Sequence, residues 1–155
     1  MLILRKLLKF QKNLPAAGTQ AGLTLYCVMA YTANQKTILV VEDDAIIRMS
    51  SVATLEDAGF CVLEARNSAD ALEMMAQHGE IKILLTDVRM PGSMDGLALV
   101  TQTHKDHPGI RAIVISAHAS AEQACDAGAS GFIAKPYLPL TMVQAIHDTV
   151  LRFHA

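Results

Sequence analysis

From Lys36 onward, short apolar runs alternate with segments of helical periodicity. The runs are Ile38 to Val41, Phe60 to Leu63, Ile81 to Leu85, Ala112 to Ile115 and Phe132 to Ala134. They are rich in Ile, Val or Leu and bounded by turn residues, as strands buried on both faces are. Between them the spacing predicts helices. Ile47, Ser51, Leu55 and Ala58 fall on one face of the first, which Gly59 ends. Ser68 is placed to cap a second over Ala69 to Gln77. Asp95 is placed to cap a third running to about His104. A short fourth covers Ser120 to Ala127 and closes at Gly128, and Pro139 suits the first turn of the last. In that helix Leu140, Val143, His147 and Val150 share a face. Five β-α units in succession predict a parallel sheet with helices on both sides.

In such sheets ligands bind beyond the carboxyl ends of the strands, so the residue after each run matters most. Glu42, Asp43 and Asp44 follow the first run, Thr86 and Asp87 the third, Ser116 the fourth and Lys135 the fifth. Four of five strands thus deliver a polar or charged group to one edge. Like charges a few ångströms apart repel by a few kcal/mol at an effective dielectric of about 20. A group of Glu42, Asp43 and Asp87 therefore raises carboxylate pKa values or holds a cation. Lys135 supplies one positive charge. A hard dication completes the balance, and Mg²⁺ takes a few carboxylates plus waters and phosphate oxygens. The layout suits phosphoryl transfer, in which positioning and charge neutralisation do most of the catalysis, with Asp87 as a carboxylate nucleophile. Each element alone has a plainer reading. An acidic run after a strand is also what a solvated helix start looks like, and a lone Ser116 is more often a backbone-bonding hydroxyl.

In order along the chain, Ile38-Leu39-Val40-Val41-Glu42-Asp43-Asp44, Leu84-Leu85-Thr86-Asp87-Val88-Arg89-Met90-Pro91, Met94-Asp95-Gly96, Ser116-Ala117 and Gly128-Ala129-Ser130-Gly131-Phe132-Ile133-Ala134-Lys135-Pro136 resemble the receiver domain of response regulators, the phospho-accepting switch of two-component signalling. The resemblance runs from about Thr37 to Phe153. It implies a flavodoxin-like (βα)5 doubly wound fold with strand order 2-1-3-4-5. It implies Asp87 as phosphoacceptor, with Lys135 and Ser116 completing the catalytic group. Mg²⁺ would be held by Asp43 directly, by Glu42 through water, by Asp87, and by the backbone carbonyl of Arg89. Ser116 and Phe132 would form the switch, and Lys135-Pro136 would be cis. The implied partners are a histidine kinase or histidine phosphotransfer protein as donor and a downstream protein as target. The resemblance also has departures. The loop Met90 to Gly96 is one residue longer than the commonest form, and the stretch from Ser116 to Lys135 is short, which trims the fourth helix region where the family's output is read.

Rival readings fare less well. A haloacid dehalogenase-type phosphatase places a second Asp two residues after the nucleophile, where this chain has Arg89. A pseudo-receiver lacks part of the acidic pair, the acceptor or the lysine, and all are present. The expectation is a signalling switch rather than an enzyme. Its variants are a phosphate sink or shuttle in a phosphorelay, or a receiver detached from a hybrid histidine kinase. With Ala155 directly after the last helix, a single-domain regulator acting by protein contact is expected. His118, two residues past Ser116, is expected with Arg89 to tune the phosphoryl lifetime. The other histidines lack the short paired spacing of a zinc site.

Composition changes the picture at one end. The chain has 155 residues, 52% of them apolar, and a formal net charge of -2, which implies neither a nucleic acid nor a membrane partner. Cys27, Cys61 and Cys125 read as free thiols of a reducing, cytoplasmic setting. No apolar run approaches the roughly 20 residues of a membrane span. All 15 acidic residues lie after residue 35, whereas Arg5, Lys6, Lys9 and Lys12 lie before it. The division is therefore an N-terminal extension over 1–35 and a receiver domain over 36–155. The extension has the pattern of a basic amphipathic helix on a membrane surface. The preferred reading is a disordered or over-annotated extension, with Met29 as the natural start.

Overall fold

Each apolar run folds as a strand, shifted or lengthened by a residue or two from its sequence bounds. The computed structural model describes residues 36–152, so the readings of the extension over 1–35 lie outside the described residues. The elements in chain order are β1 (Thr37–Val41), α1 (Ala45–Asp57), β2 (Cys61–Ala65), α2 (Ser68–Gln77), β3 (Ile81–Asp87), α3 (Gly96–Asp106), β4 (Arg111–Ser116), α4 (Ala121–Asp126), β5 (Gly131–Ala134) and α5 (Pro139–Leu151). The strands form one sheet in the order β2-β1-β3-β4-β5, every neighbouring pair parallel. The β-α alternation predicts the parallel sheet with helices on both sides, and the order is the flavodoxin-like 2-1-3-4-5 that the resemblance implies.

The alternation of side chains along each strand feeds two cores. Leu39, Val41, Leu84, Ala112 and Val114 point to one face and meet Ala71, Met75, Leu99, Val100 and Ala124 of α2, α3 and α4. Ile38, Val40, Ile83, Leu85, Ile113, Ile115 and Ile133 point to the other and meet Leu55, Met142 and Ile146 of α1 and α5. Full burial of an aliphatic side chain stabilises by about 1.5–3 kcal/mol, so the central strands, apolar on both faces, hold the sheet's centre rigid beneath its carboxyl edge.

Helix ends follow local chemistry. Asp44 caps α1 by accepting from the amides of Ile46 (2.8 Å) and Ile47 (3.0 Å). Asp95 caps α3 by accepting from Ala98 N at 2.8 Å. Ser120 and Gln123 form a reciprocal capping box on α4, which is only 6 residues long, as the short interval before Lys135 predicts. Gly59 and Gly128 close their helices with φ of 97° and 95°. The Lys135-Pro136 bond is cis.

Three local expectations are corrected. Asn67, not Ser68, caps α2, accepting from Asp70 N at 2.8 Å. Ser68 is the first helical residue, and its hydroxyl donates instead to Met94 O, 2.9 Å away in the loop before α3. In α1 the inward face carries Ser51 and Leu55, but Ile47 is 40% exposed and lines a surface depression with Lys135, Pro136 and Tyr137 instead. In α5 the buried residues are Met142, Ile146 and Thr149, whereas Leu140 is 75% exposed. Two neighbouring stripes of α5 both carry apolar residues at helical spacing. The one centred on Ile146 faces the sheet, which leaves His147 at the margin against the Phe60 ring, centroids 5.4 Å apart.

Candidate functional site

The strand register sets the site. Val41 lies beside Thr86, so Glu42 follows β1 at the level of Asp87. Asp87 lies beside Ile115, one residue before Ser116. Ser116 lies beside Ala134, one residue before Lys135. Four strand ends separated by up to 93 residues in sequence thus arrive at one edge.

The centre of that edge is an ammonium held by two carboxylates. Lys135 Nζ donates to Asp87 Oδ2 at 2.5 Å and lies 3.4 Å from Glu42 Oε2. The other oxygen of Asp87 accepts from Val88 N at 2.6 Å and from Arg89 N at 3.3 Å, which fixes the plane of the carboxylate. Glu42 is 6% exposed, and its Oε1 accepts from Asp44 N at 3.2 Å. Burial raises the Glu42 pKa above the ordinary glutamate value; the Lys135 charge opposes this without cancelling it, and the Asp87 charge adds to the rise. For Lys135 burial acts downward, but the hydrogen bond to Asp87 and the Glu42 charge outweigh it, and its pKa is raised. The lysine is therefore charged at neutral pH.

The remaining sequence-derived residues take distinct places. Asp43 is exposed beside Glu42, and among the described residues no donor reaches its carboxylate. Arg89 is exposed two residues past Asp87. Ser116 is 2% exposed, and its Oγ accepts from the amides of His118 (3.1 Å) and Ala119 (3.0 Å) rather than bonding to Asp87. Its carbonyl accepts from Lys135 N at 2.9 Å. The side chain of His118 is exposed on the same loop. Phe132 is half-buried on β5 and packs against the core that contains Val114, its neighbour across the strands.

Among the described residues no three carboxylate, imidazole or thiolate side chains close around one point. The donors present are the open Asp43, the Asp87 carboxylate and nearby main-chain carbonyls, with Glu42 alongside. An all-protein cage is absent from this set. It fits a hard cation such as Mg²⁺, which takes one or two carboxylates and keeps several waters.

Two contributors were not legible as such. Arg48, one turn into α1, sends Nη1 to Glu42 O at 2.7 Å and to Asp43 O at 3.4 Å, and Nε to Glu64 Oε2 at 3.1 Å. Its spacing from the acidic run, six residues after Glu42, is the only sequence signal. Thr86 is fully buried at the end of β3, its hydroxyl donating to Asp87 O at 2.8 Å.

A doubly wound parallel sheet carrying a carboxylate–lysine–carboxylate group on its carboxyl edge defines a flavodoxin-like protein with a phosphoryl-transfer layout. The chain belongs to the response regulator receiver domain family, whose model matches residues 38–147. It is a receiver domain of two-component signalling, a family of signalling modules in which phosphorylation and Mg²⁺ binding are characteristic. It is 39% identical over 105 residues to the sensor kinase CckA of Brucella abortus, covering 65% of this chain and 11% of that protein. It spans between 22% and 33% of the length of seven further curated relatives. Among solved structures it superposes on a CheY-like receiver domain of Methanospirillum hungatei with a TM-score of 0.71 and 30% identity, covering 77% of this chain and 96% of that one. It shares its fold with the response regulator TrrA of Thermotoga maritima, solved in complex with Mg²⁺-BeF, at a TM-score of 0.67 and 22% identity over 74% of this chain and 99% of that one.

Proposed function

We propose that Asp87 accepts a phosphoryl group from the phosphohistidine of a histidine kinase or phosphotransfer protein, and that the receiver passes the signal on by protein contact. The observation that carries this reading is the Lys135 ammonium held between Asp87 and Glu42. In the transfer an Asp87 oxygen forms the new O–P bond as the N–P bond of the donor breaks, and the departing imidazole keeps the electron pair and takes a proton. Lys135 stays beside Asp87 and offsets the charge that arrives with the phosphoryl group. Asp43 and Asp87, with Glu42 through water and the carbonyl of Arg89, would hold Mg²⁺, which supplies further neutralisation of the phosphoryl oxygens when bound. TrrA, which shares the fold, was solved in complex with Mg²⁺-BeF, which supports a Mg²⁺ site in this fold.

The rim suits a protein donor. Ile47, Ala117, Pro136 and Tyr137 line a shallow depression of about 360 Å³ with Lys135 on its wall. Ile46 (80%), Met49 (67%) and Leu138 (73%) stand exposed on the same two segments, α1 and the β5–α5 loop. A donor that presents a histidine to Asp87 covers this apolar rim.

Signal propagation follows from Ser116. Its hydroxyl holds the His118 and Ala119 amides. When it turns toward a phosphoryl group on Asp87 it releases both, loosening the loop that enters α4 and giving Phe132 room to move. Phosphorylation thereby shifts a two-state equilibrium.

The test is intact-mass analysis after incubation with acetyl phosphate or phosphoramidate and Mg²⁺. A phosphate adduct that requires Mg²⁺ and disappears in Asp87→Asn is expected. No adduct, together with no binding of beryllofluoride, would make the domain a switchless interaction module.

A further inference from the structure

Arg48 takes no part in the transfer just described, yet its guanidinium is fixed at the back of the acidic edge. Its side chain is only 12% exposed, and it reaches three acceptors: Glu42 O at 2.7 Å, Asp43 O at 3.4 Å and Glu64 Oε2 at 3.1 Å. The first two are the main-chain carbonyls of the residues on which the acidic pair sits. Glu42 N is held in turn by Ala65 O at 3.2 Å, and Asp44 is committed to capping α1. Asp43, lying between them, is the only member of the run whose side chain has no donor among the described residues. Its direction is therefore set through its main chain, and Arg48 is what grips that main chain.

We infer that Arg48, with its plane fixed by Glu64, is a positioning residue that aims the Asp43 carboxylate at the divalent cation and so sets the cation affinity of the site. This rests on the reading that the acidic edge holds Mg²⁺. The ion pair with Glu64 is not itself the working part. Glu64 is 55% exposed, and exposed pairs contribute little. The charge-assisted bond to Glu42 O, made by a nearly buried guanidinium, is the stronger element. Electrostatics and positioning also predict opposite signs. Removing a positive charge near a cation site tightens cation binding by simple Coulomb repulsion. Removing a clamp that aims a ligand loosens it, and partners one shell out from a metal typically change affinity by roughly 10- to 100-fold.

The test is a MgCl₂ titration of the full-length chain followed by backbone amide NMR shifts of Glu42 to Asp44 and Asp87 to Arg89, with melting temperature measured alongside. Arg48→Met is expected to weaken Mg²⁺ binding by about 10-fold or more while the melting temperature stays close to that of the parent chain. Glu64→Gln is expected to weaken it by a smaller factor. The exchange Arg48→Glu with Glu64→Arg restores the ion pair but not the bonds to the carbonyls, and its affinity is expected to stay low. Unchanged or tighter binding in a folded Arg48→Met, or full recovery in the exchange, overturns the inference. Should Arg48→Met fail to fold, Arg48→Gln takes its place, and unchanged or tighter binding in it overturns the inference. A parent chain whose amides do not respond to Mg²⁺ at all overturns the cation reading itself, a result distinct from a variant that binds as the parent does.

Discussion

Gly96 lies so close behind Asp87 that a Cβ at Gly96 would overlap the main-chain carbonyl of Asp87. The contact is tied by Gly96 N donating to Val88 O at 2.9 Å. It sets the first turn of α3 directly against the peptide that carries the acceptor. The obstacle is backbone, so no rotamer change can relieve it. Gly96→Ala is expected to destabilise the fold by about 1–3 kcal/mol, and to slow phosphorylation because Asp87 must shift to make room. Thermal melts and adduct formation over time check both.

Glu42 gives a pH-dependent outcome. Its folded-state pKa is raised, chiefly by burial, so its ionised form is disfavoured in the native state. Below the ordinary glutamate value both states are protonated and there is no penalty. The penalty grows as pH rises through the raised native value and is complete above it. Glu42→Gln is therefore expected to melt higher than the parent chain at pH 7 without Mg²⁺, with the gap closing on acidification. With excess MgCl₂ the gap narrows or reverses, because a bound cation favours the ionised parent. Melting curves at several pH values, with and without the salt, decide it.

Ser116→Ala separates acceptance from output. The substitution leaves Asp87, Lys135 and Glu42 in place but removes the acceptor for the His118 and Ala119 amides. The chain is expected to take the phosphoryl group still, while the amide shifts of α4 and Phe132 stop responding to it. NMR spectra with and without beryllofluoride provide the check.

Arg89 and His118 flank the acceptor from two loops, both exposed. Replacing either with Ala is expected to change the rate at which the aspartyl phosphate hydrolyses, by altering how water approaches. The decay of the adduct in intact-mass spectra measures this, and an unaltered half-life in both variants sinks the idea.

The parallel β-α sheet and the acidic edge were readable because they depend on properties that are local in sequence, while the strand order came with the resemblance. Five apolar runs with turn residues between them permit few topologies, and the residue after each run is placed by register alone. What was hidden depended on tertiary geometry. The face of α5 was only partly read, because Leu140, Val143 and His147 (steps of three and four) and Met142, Ile146 and Thr149 (steps of four and three) both suit a helix, and the sheet buries the second set while Val143 and Val150 pack at its side. Ser68 was read as a cap because its type favours that position, but Asn67 caps the helix while the Ser68 hydroxyl bonds across to Met94 O. Arg48 stood out in no motif, since a single arginine on a helix is ordinarily a solvated charge, and its contacts appear only once β1, α1 and β2 are together.

The distance along the chain between the groups at the centre of the site bears on when in the life of the molecule it becomes competent. Asp87 and Lys135 are 48 residues apart and Glu42 and Lys135 are 93 apart, and they meet only through adjacent strand ends. A nascent chain that has left the ribosome as far as β3 already displays Glu42, Asp43 and Asp87, but the lysine that balances them has not yet emerged. Such a chain has Arg48 beside the acidic run but not the ammonium that bridges Asp87 and Glu42. The group at the sheet edge is therefore complete only once β5 has been made and paired with β4.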